Sequence, residues 1–304
     1  MRFLNPKTDF AFKKIFGSDA SRDILISFLN AVLGFSGPGM IVDVTILDPY
    51  QVPRIKGWKD SYVDVRARDE RGRTFIVEMQ VLVAPGFEKR ILFNACKAYV
   101  GQIASAAEYR NLVEVIAITI TDFVMYPDLS GIVGSFRLRA AENIEIVHQD
   151  MELVFVELPK FCKTEAELET ALDRWLYFLK TAGTLDAVPK VLASDPAVDH
   201  AMQIANKGAL SAEELEDQER REMWIGMQKS MLIGEDEARR LGEAKGRAEG
   251  EAKGKAEMLL RLLRRRFTVP PELEARVLSA DGRKLDRWSD LFVDAETLSD
   301  VFSD

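Results

Sequence analysis

The sequence predicts an α/β fold: a core with a mixed central sheet flanked by helices, followed by an all-helical C-terminal region. Three observations predict it. Helical and strand patterns follow one another as helix, three strands, helix, strand, with two further strands before residue 160. Residues 113–121 form an apolar run of the kind that is buried on both faces of a sheet. From Glu165 onward, apolar residues recur at helical spacing alone.

Each element has its own signal. Over residues 7–33, Phe10, Phe12, Ile15 and Phe16, then Ile24, Leu25, Phe28, Leu29, Val32 and Leu33 recur every three or four positions. Gly17-Ser18-Asp19 is the place for a break, with Ser18 or Asp19 as the cap of the second half. Residues 42–47 read as a strand, 49–59 as a connection and 60–83 as a hairpin ended by Pro85-Gly86. A helix over 87–109 has Leu92, Ala95, Cys96, Tyr99, Ile103 and Ala106 as its buried side, with Cys96 a small core residue. Strands near 134–140 and 152–158 close the core. Leu168, Leu172, Trp175, Leu176 and Leu179 then mark the inner stripe of a helical lobe over 161–233.

The hairpin carries the chemistry. Both arms are rich in β-branched and aromatic residues, and Glu70-Arg71-Gly72 forms the loop, with Gly72 suited to its left-handed position. That loop sets Asp69 opposite either Thr74 or Arg73. With Arg73, counting back places Asp64 opposite Glu78, on the face that Glu78 shares with Gln80. Glu78 also sits in an otherwise apolar run, where a carboxylate is costly unless it is paired or bound to a cation. Two carboxylates at cross-strand distance repel without a cation between them, and hard oxygen ligands suit Mg²⁺ or Mn²⁺. The pattern is that of a metal-dependent phosphodiesterase centre. Scattered carboxylates on exposed strands produce the same loose spacing without any site.

Composition narrows the alternatives. With 304 residues, 47% hydrophobic and 30% charged, the chain has the make-up of a soluble globular protein with room for two domains. No apolar run reaches membrane-spanning length, the start lacks the apolar stretch of a signal peptide, and two cysteines suit a reducing cytoplasm. Two histidines and no paired cysteines argue against zinc. A net charge of −8 argues against broad affinity for nucleic acid, so a DNA contact requires clustered cations. Candidates are Lys13 and Lys14, Arg54, Lys56 and Lys59, then Arg66, Arg68, Lys89 and Arg90, with Arg66 and Arg68 placed on the Asp64 face by alternation.

In residues 234–257, Gly242, Gly246, Gly250 and Gly254 recur every four residues, as do Ala244, Ala248, Ala252 and Ala256. The repeat reads either as a close-packed helix that pairs in a homo-oligomer or as a partly helical linker. Residues 258–304 read as a short helical module, where Arg261, Arg264, Arg265 and Arg266 either meet phosphates or complement a helix end.

The first 160 or so residues resemble the Rpn family of recombination-promoting nucleases and transposase-like proteins, within the PD-(D/E)xK nuclease superfamily. The likeness is carried by Asn5-Pro-Lys-Thr-Asp-Phe-Ala-Phe-Lys-Lys-Ile-Phe-Gly17, the Asp64 strand and Ile76-Val-Glu-Met-Gln80. Arg90, Tyr99-Val-Gly-Gln102, Val115-Ile-Ala-Ile-Thr-Ile120 and Asp122-Phe123 also carry it. The resemblance implies Mg²⁺-dependent cleavage of DNA with Asp64 and Glu78 as metal ligands. Gln80 stands where the superfamily name expects lysine, which leaves the general base open. Residues 258–304 resemble the DUF4351-type module often joined to such nucleases, on Leu259-Leu-Arg-Leu-Leu-Arg-Arg-Arg-Phe267, Leu285-Asp-Arg-Trp288 and Asp294-Ala-Glu-Thr-Leu298.

The expected activity is therefore Mg²⁺- or Mn²⁺-dependent endonucleolytic hydrolysis of DNA. Asp64, Glu78 and the Met79 carbonyl hold the metal, and Gln80 orients water by hydrogen bonds. Asp9 and Arg90 are auxiliary groups, although Asp9 serves equally as a helix cap and Arg90 as a partner for an acidic neighbour. Lys13, Lys14, Arg66 and Arg68 are the DNA-facing cations. The rival is a pseudo-nuclease that binds DNA or protein as an oligomeric scaffold.

Overall fold

The computed structural model describes residues 3–51, 61–103 and 108–302, without the side chains of 209, 233–246, 248, 249 and 252. The candidates Arg54, Lys56, Lys59 and Ala106 lie outside the described residues. The chain divides into two units, 1–227 and 228–304.

In the first unit the N-terminal helical pattern is two helices, α1 (Asp9–Phe16) and α2 (Arg22–Leu33). The cap of α1 is Thr8, whose hydroxyl accepts the Ala11 N–H at 3.3 Å, so Asp9 is the first helical residue and not the cap. Strand β1 (Val44–Leu47) follows, then a short pair, β2 (Tyr50–Gln51) and β3 (Ser61–Tyr62). The hairpin is β4 (Val65–Asp69) and β5 (Thr74–Gln80). Helix α3 (Phe87–Val100) crosses to β6 (Val115–Thr121), and β7 (Val133–Arg139) and β8 (Val147–Glu157) complete the strands. The sheet order is β1-β4-β5-β6-β8-β7. β5, β6 and β8 run parallel to one another and the remaining neighbours pair antiparallel, so the sheet is mixed as the sequence predicts.

One face of the sheet carries the main core. Val65, Ala67, Phe75, Val77, Ile116, Ile118, Val154 and Val156 pack there with Phe12, Phe16, Phe28 and Trp175. The residues of α4 (Ala171–Thr181) join this same core, along with α5 (Lys190–Ala193) and α6 (Pro196–Ile204). The other face carries α3, whose Ala95 and Ala98 meet Ile76, Val115 and Ala117.

The buried side of α3 differs from the sequence reading. Its inner residues are Phe87, Ile91, Asn94, Ala95 and Ala98, whereas Leu92 and Cys96 are exposed. The stripe is turned by about one residue because a polar side chain, Asn94, takes an inward position. The helix also ends at Val100, against Gly101, and not at 109.

Helix α7 (Ala212–Arg266) contains the division between the units and runs through the glycine repeat. Its first turns belong to the first unit: Gln218 is buried and donates to the Thr8 hydroxyl at 2.9 Å, and Glu214 pairs with Lys14 at 2.9 Å. In the second unit, Ala256, Leu259, Leu260 and Leu263 of α7 share a core with α8 (Pro271–Leu278), α9 (Gly282–Asp294) and α10 (Leu298–Val301). Arg264 pairs there with Glu274 at 2.8 Å, and Arg266 lies over Phe267 and Phe292, so these two cations are engaged within the second unit. No helix among the described residues is long and apolar enough to cross a membrane.

Candidate active site

The hairpin turn settles the register. The Asp69 side chain accepts the N–H of Arg71 at 3.1 Å and of Arg73 at 2.8 Å, and its other oxygen pairs with the Arg73 guanidinium at 2.7 Å. Gly72 closes the turn at φ +84°. Asp69 N–H in turn donates to the Arg73 carbonyl at 3.1 Å, so Asp69 stands opposite Arg73. The ladder continues through Ala67↔Phe75 to Val65↔Val77, and its next step sets Asp64 against Glu78.

At that step the strand breaks. Antiparallel ladders alternate, and Asp69–Arg73, Ala67–Phe75 and Val65–Val77 are the positions whose backbones face each other. The following such position would give the Met79 N–H the Val63 carbonyl. Asp64 Oδ2 takes that bond instead, at 2.8 Å, and the Val63 N–H goes to the Pro49 carbonyl at 3.2 Å. The Met79 carbonyl, which faces the same way as its N–H, therefore looks into the gap where β4 has left β5. Asp64 also departs from the expected face. Its carboxyl reaches from the end of β4 in the plane of the sheet, while Glu78 stands on the α3 side, where Asn94 Nδ2 donates to Glu78 Oε1 at 2.7 Å. Arg66 and Arg68 share the Glu78 side through their partners Ile76 and Thr74, so alternation does not carry them to Asp64.

Glu78 is buried and Asp64 largely so, with 8% and 18% of their side chains exposed. Burial pushes Asp64 up to about 7, against the Met79 bond, with Asp9 and Glu78 adding repulsion and Lys13 relieving it. Burial likewise raises Glu78, against the Asn94 bond and Arg90. The cations beside them stand back: Lys13 Nζ is 3.7 Å from Asp64 Oδ1, and Arg90 Nη2 is 3.8 Å from Glu78 Oε2. Lys13 is held at 2.7 Å by Asp9, which also meets Arg221 of α7 at 3.5 Å. Gln80 is fixed at both ends, its Nε2 donating to the Leu82 carbonyl and its Oε1 accepting from Arg90, each at 2.7 Å.

The structure thus brings together Asp64, Glu78, Met79, Gln80, Arg90 and Lys13, with Asp9 one shell out. Lys14 is engaged by Glu214 and by the Phe10 ring. Asn94 is the residue that sequence reasoning missed. It lies one helical turn after Arg90, and a polar residue in phase with Phe87 and Ile91 was the signal for it. Among the described residues no group of three or more His, Cys, Asp or Glu side chains gathers as metal ligands. The donor set here is two carboxylates and a backbone carbonyl. All are hard oxygens at one break in the ladder, and they fit a divalent cation that keeps several waters.

A mixed sheet between helices, with acidic groups at the end of its central hairpin, is the architecture of a PD-(D/E)XK nuclease-like fold. The chain belongs to the family described as PD-(D/E)XK nuclease family transposase, whose model matches residues 6–232. Comparisons with curated proteins and with solved structures found no match.

Proposed function

We propose that the chain is a metal-dependent DNA endonuclease that hydrolyses phosphodiester bonds, with a role in recombination or at mobile elements. The observation that supports it is the pair of largely buried carboxyls, Asp64 and Glu78, each raised by desolvation and each with its nearest cation held back. Acids drawn from water without a close ion pair cost stability, and such arrangements cluster at functional sites. Asp64, Glu78 and the Met79 carbonyl are the ligands in this reading. Mg²⁺ or Mn²⁺ bound there would lower the pKa of a water and stabilise charge on the scissile phosphate.

The remaining residues have roles of their own. Asn94 holds the Glu78 carboxylate in one orientation. Arg90, half exposed, offers its guanidinium to a phosphate oxygen while its bond to Gln80 fixes where it points. Gln80 is neutral and orients by hydrogen bonds without taking a proton. Lys13, Arg66 and Arg68 supply positive potential toward the DNA backbone. A DUF4351-type C-terminal module, self-association through residues 234–257 and a cytoplasmic setting belong to the same reading.

Plasmid nicking in Mg²⁺ or Mn²⁺ tests it. Asp64→Ala and Glu78→Ala should each abolish cleavage with an unchanged circular dichroism spectrum, and Mn²⁺ titration calorimetry should lose its heat in Asp64→Asn. Cleavage surviving in both alanine variants refutes the assignment. A wild type that binds no Mn²⁺ points to the pseudo-nuclease scaffold.

A further inference from the structure

Beside Glu78 lies a groove of about 610 Å³ between β3 and α3. Arg90 and Asn94 line it, and the same two side chains stand against Glu78, so the groove adjoins that carboxylate. Tyr62 is 69% exposed, although its ring stacks on Tyr50 at 4.7 Å, so its other face is open to solvent. Phe93, on α3, is 42% exposed with the Lys97 ammonium 5.9 Å from its centroid. Lys89 and Arg90 place two cations on the same lining, in a chain whose net charge is −8.

Open aromatic faces, adjacent cations and a catalytic end describe one kind of occupant. A base stacks on an aromatic ring through its flat face, and cations take the phosphate that follows it. In a duplex the flat faces are covered by neighbouring base pairs and only edges show in the grooves. The faces become available when the strand is single or the nucleotide is turned out of the helix. The volume lies in the range of a small-ligand pocket, enough for a nucleotide.

We infer that this groove is a subsite for an unpaired nucleotide of the DNA strand, its base stacked on Tyr62 and Phe93 and its phosphate held by Lys89 and Arg90. The inference rests on the nuclease reading above and names the form of substrate: DNA that is single-stranded or locally unpaired beside the scissile bond.

Fluorescence anisotropy on the full chain in EDTA tests it with two probes of equal length, an oligodeoxythymidylate and a blunt duplex. The wild type should prefer the single strand. Tyr62→Ala and Phe93→Ala should each weaken single-strand binding about tenfold, the cost of one lost stacking partner, and leave duplex binding within about twofold. Tyr62→Phe keeps the ring and should bind as the wild type does. Equal affinity of the wild type for both probes overturns the subsite, as does unchanged single-strand affinity in both alanine variants. Mn²⁺ calorimetry on the same proteins separates the two claims. Mn²⁺ binding without single-strand preference overturns the subsite alone, and no Mn²⁺ binding by the wild type overturns the nuclease reading beneath it.

Discussion

Arg90 donates to the side-chain oxygen of Gln80 at 2.7 Å while standing 3.8 Å from Glu78 Oε2. Gln80 thus holds the guanidinium at its own oxygen, beyond hydrogen-bond reach of the carboxylate. Arg90→Ala should bind Mn²⁺ as tightly as the wild type or more tightly, because a competitor for Glu78 is gone, yet cleave DNA on the order of tenfold to a hundredfold more slowly. Gln80→Lys places two cations side by side and should lower turnover rather than raise it. Calorimetry and nicking rates on both variants check this; a faster Gln80→Lys enzyme would show that the position wants a proton acceptor.

Asp64 predicts a pH dependence of stability. Its carboxyl, lifted from 3.8 to about 7 chiefly by burial, binds a proton more tightly in the folded chain than in the unfolded one. Stability of the metal-free protein should therefore fall as pH rises from about 4 to about 7, by up to roughly 4 kcal/mol. Asp64→Asn keeps the acceptor for the Met79 N–H and removes the charge. In EDTA it should melt several degrees above the wild type at pH 8 and level with it near pH 4. Equal melting temperatures at pH 8 would contradict the assignment.

Asn94 holds Glu78 through a 2.7 Å bond and is itself buried. Asn94→Leu keeps the branched shape without the donor. Mn²⁺ affinity should drop about tenfold, the usual effect of losing a group that orients a ligand, with the fold retained by circular dichroism. An unchanged dissociation constant would mean that Glu78 needs no support.

Asp173 tests the helical lobe. Burial pushes its carboxyl up, but Lys163 and the Thr170 and Glu169 N–H groups outweigh this and hold it at about 2. Its contribution is complete above about pH 4 and is lost as pH falls through 2. Asp173→Ala should cost about 1–2 kcal/mol in urea unfolding at neutral pH, and the gap should close in acid. A gap that persists in acid would place the effect in packing.

Much of the fold was legible. The buried run of β6, the hairpin and the stripe of α4 follow from period and composition, and the sheet lies where they indicate. The geometry at Asp64 was not legible. Alternation assumes an unbroken strand, and β4 peels away one residue early, where Val63 donates its N–H to the Pro49 carbonyl. Nor was the phase of α3, since the pattern counts apolar residues and Asn94 is buried for what it binds. Which of Thr74 or Arg73 faces Asp69 depended on the Asp69 carboxylate, a side-chain effect that spacing does not encode.

That last carboxylate has a reach beyond its own turn. A one-residue slip of β4 along β5 would change every partner along the arm and part Asp64 from Glu78. A turn at one end of the hairpin thus decides which two residues meet at the other.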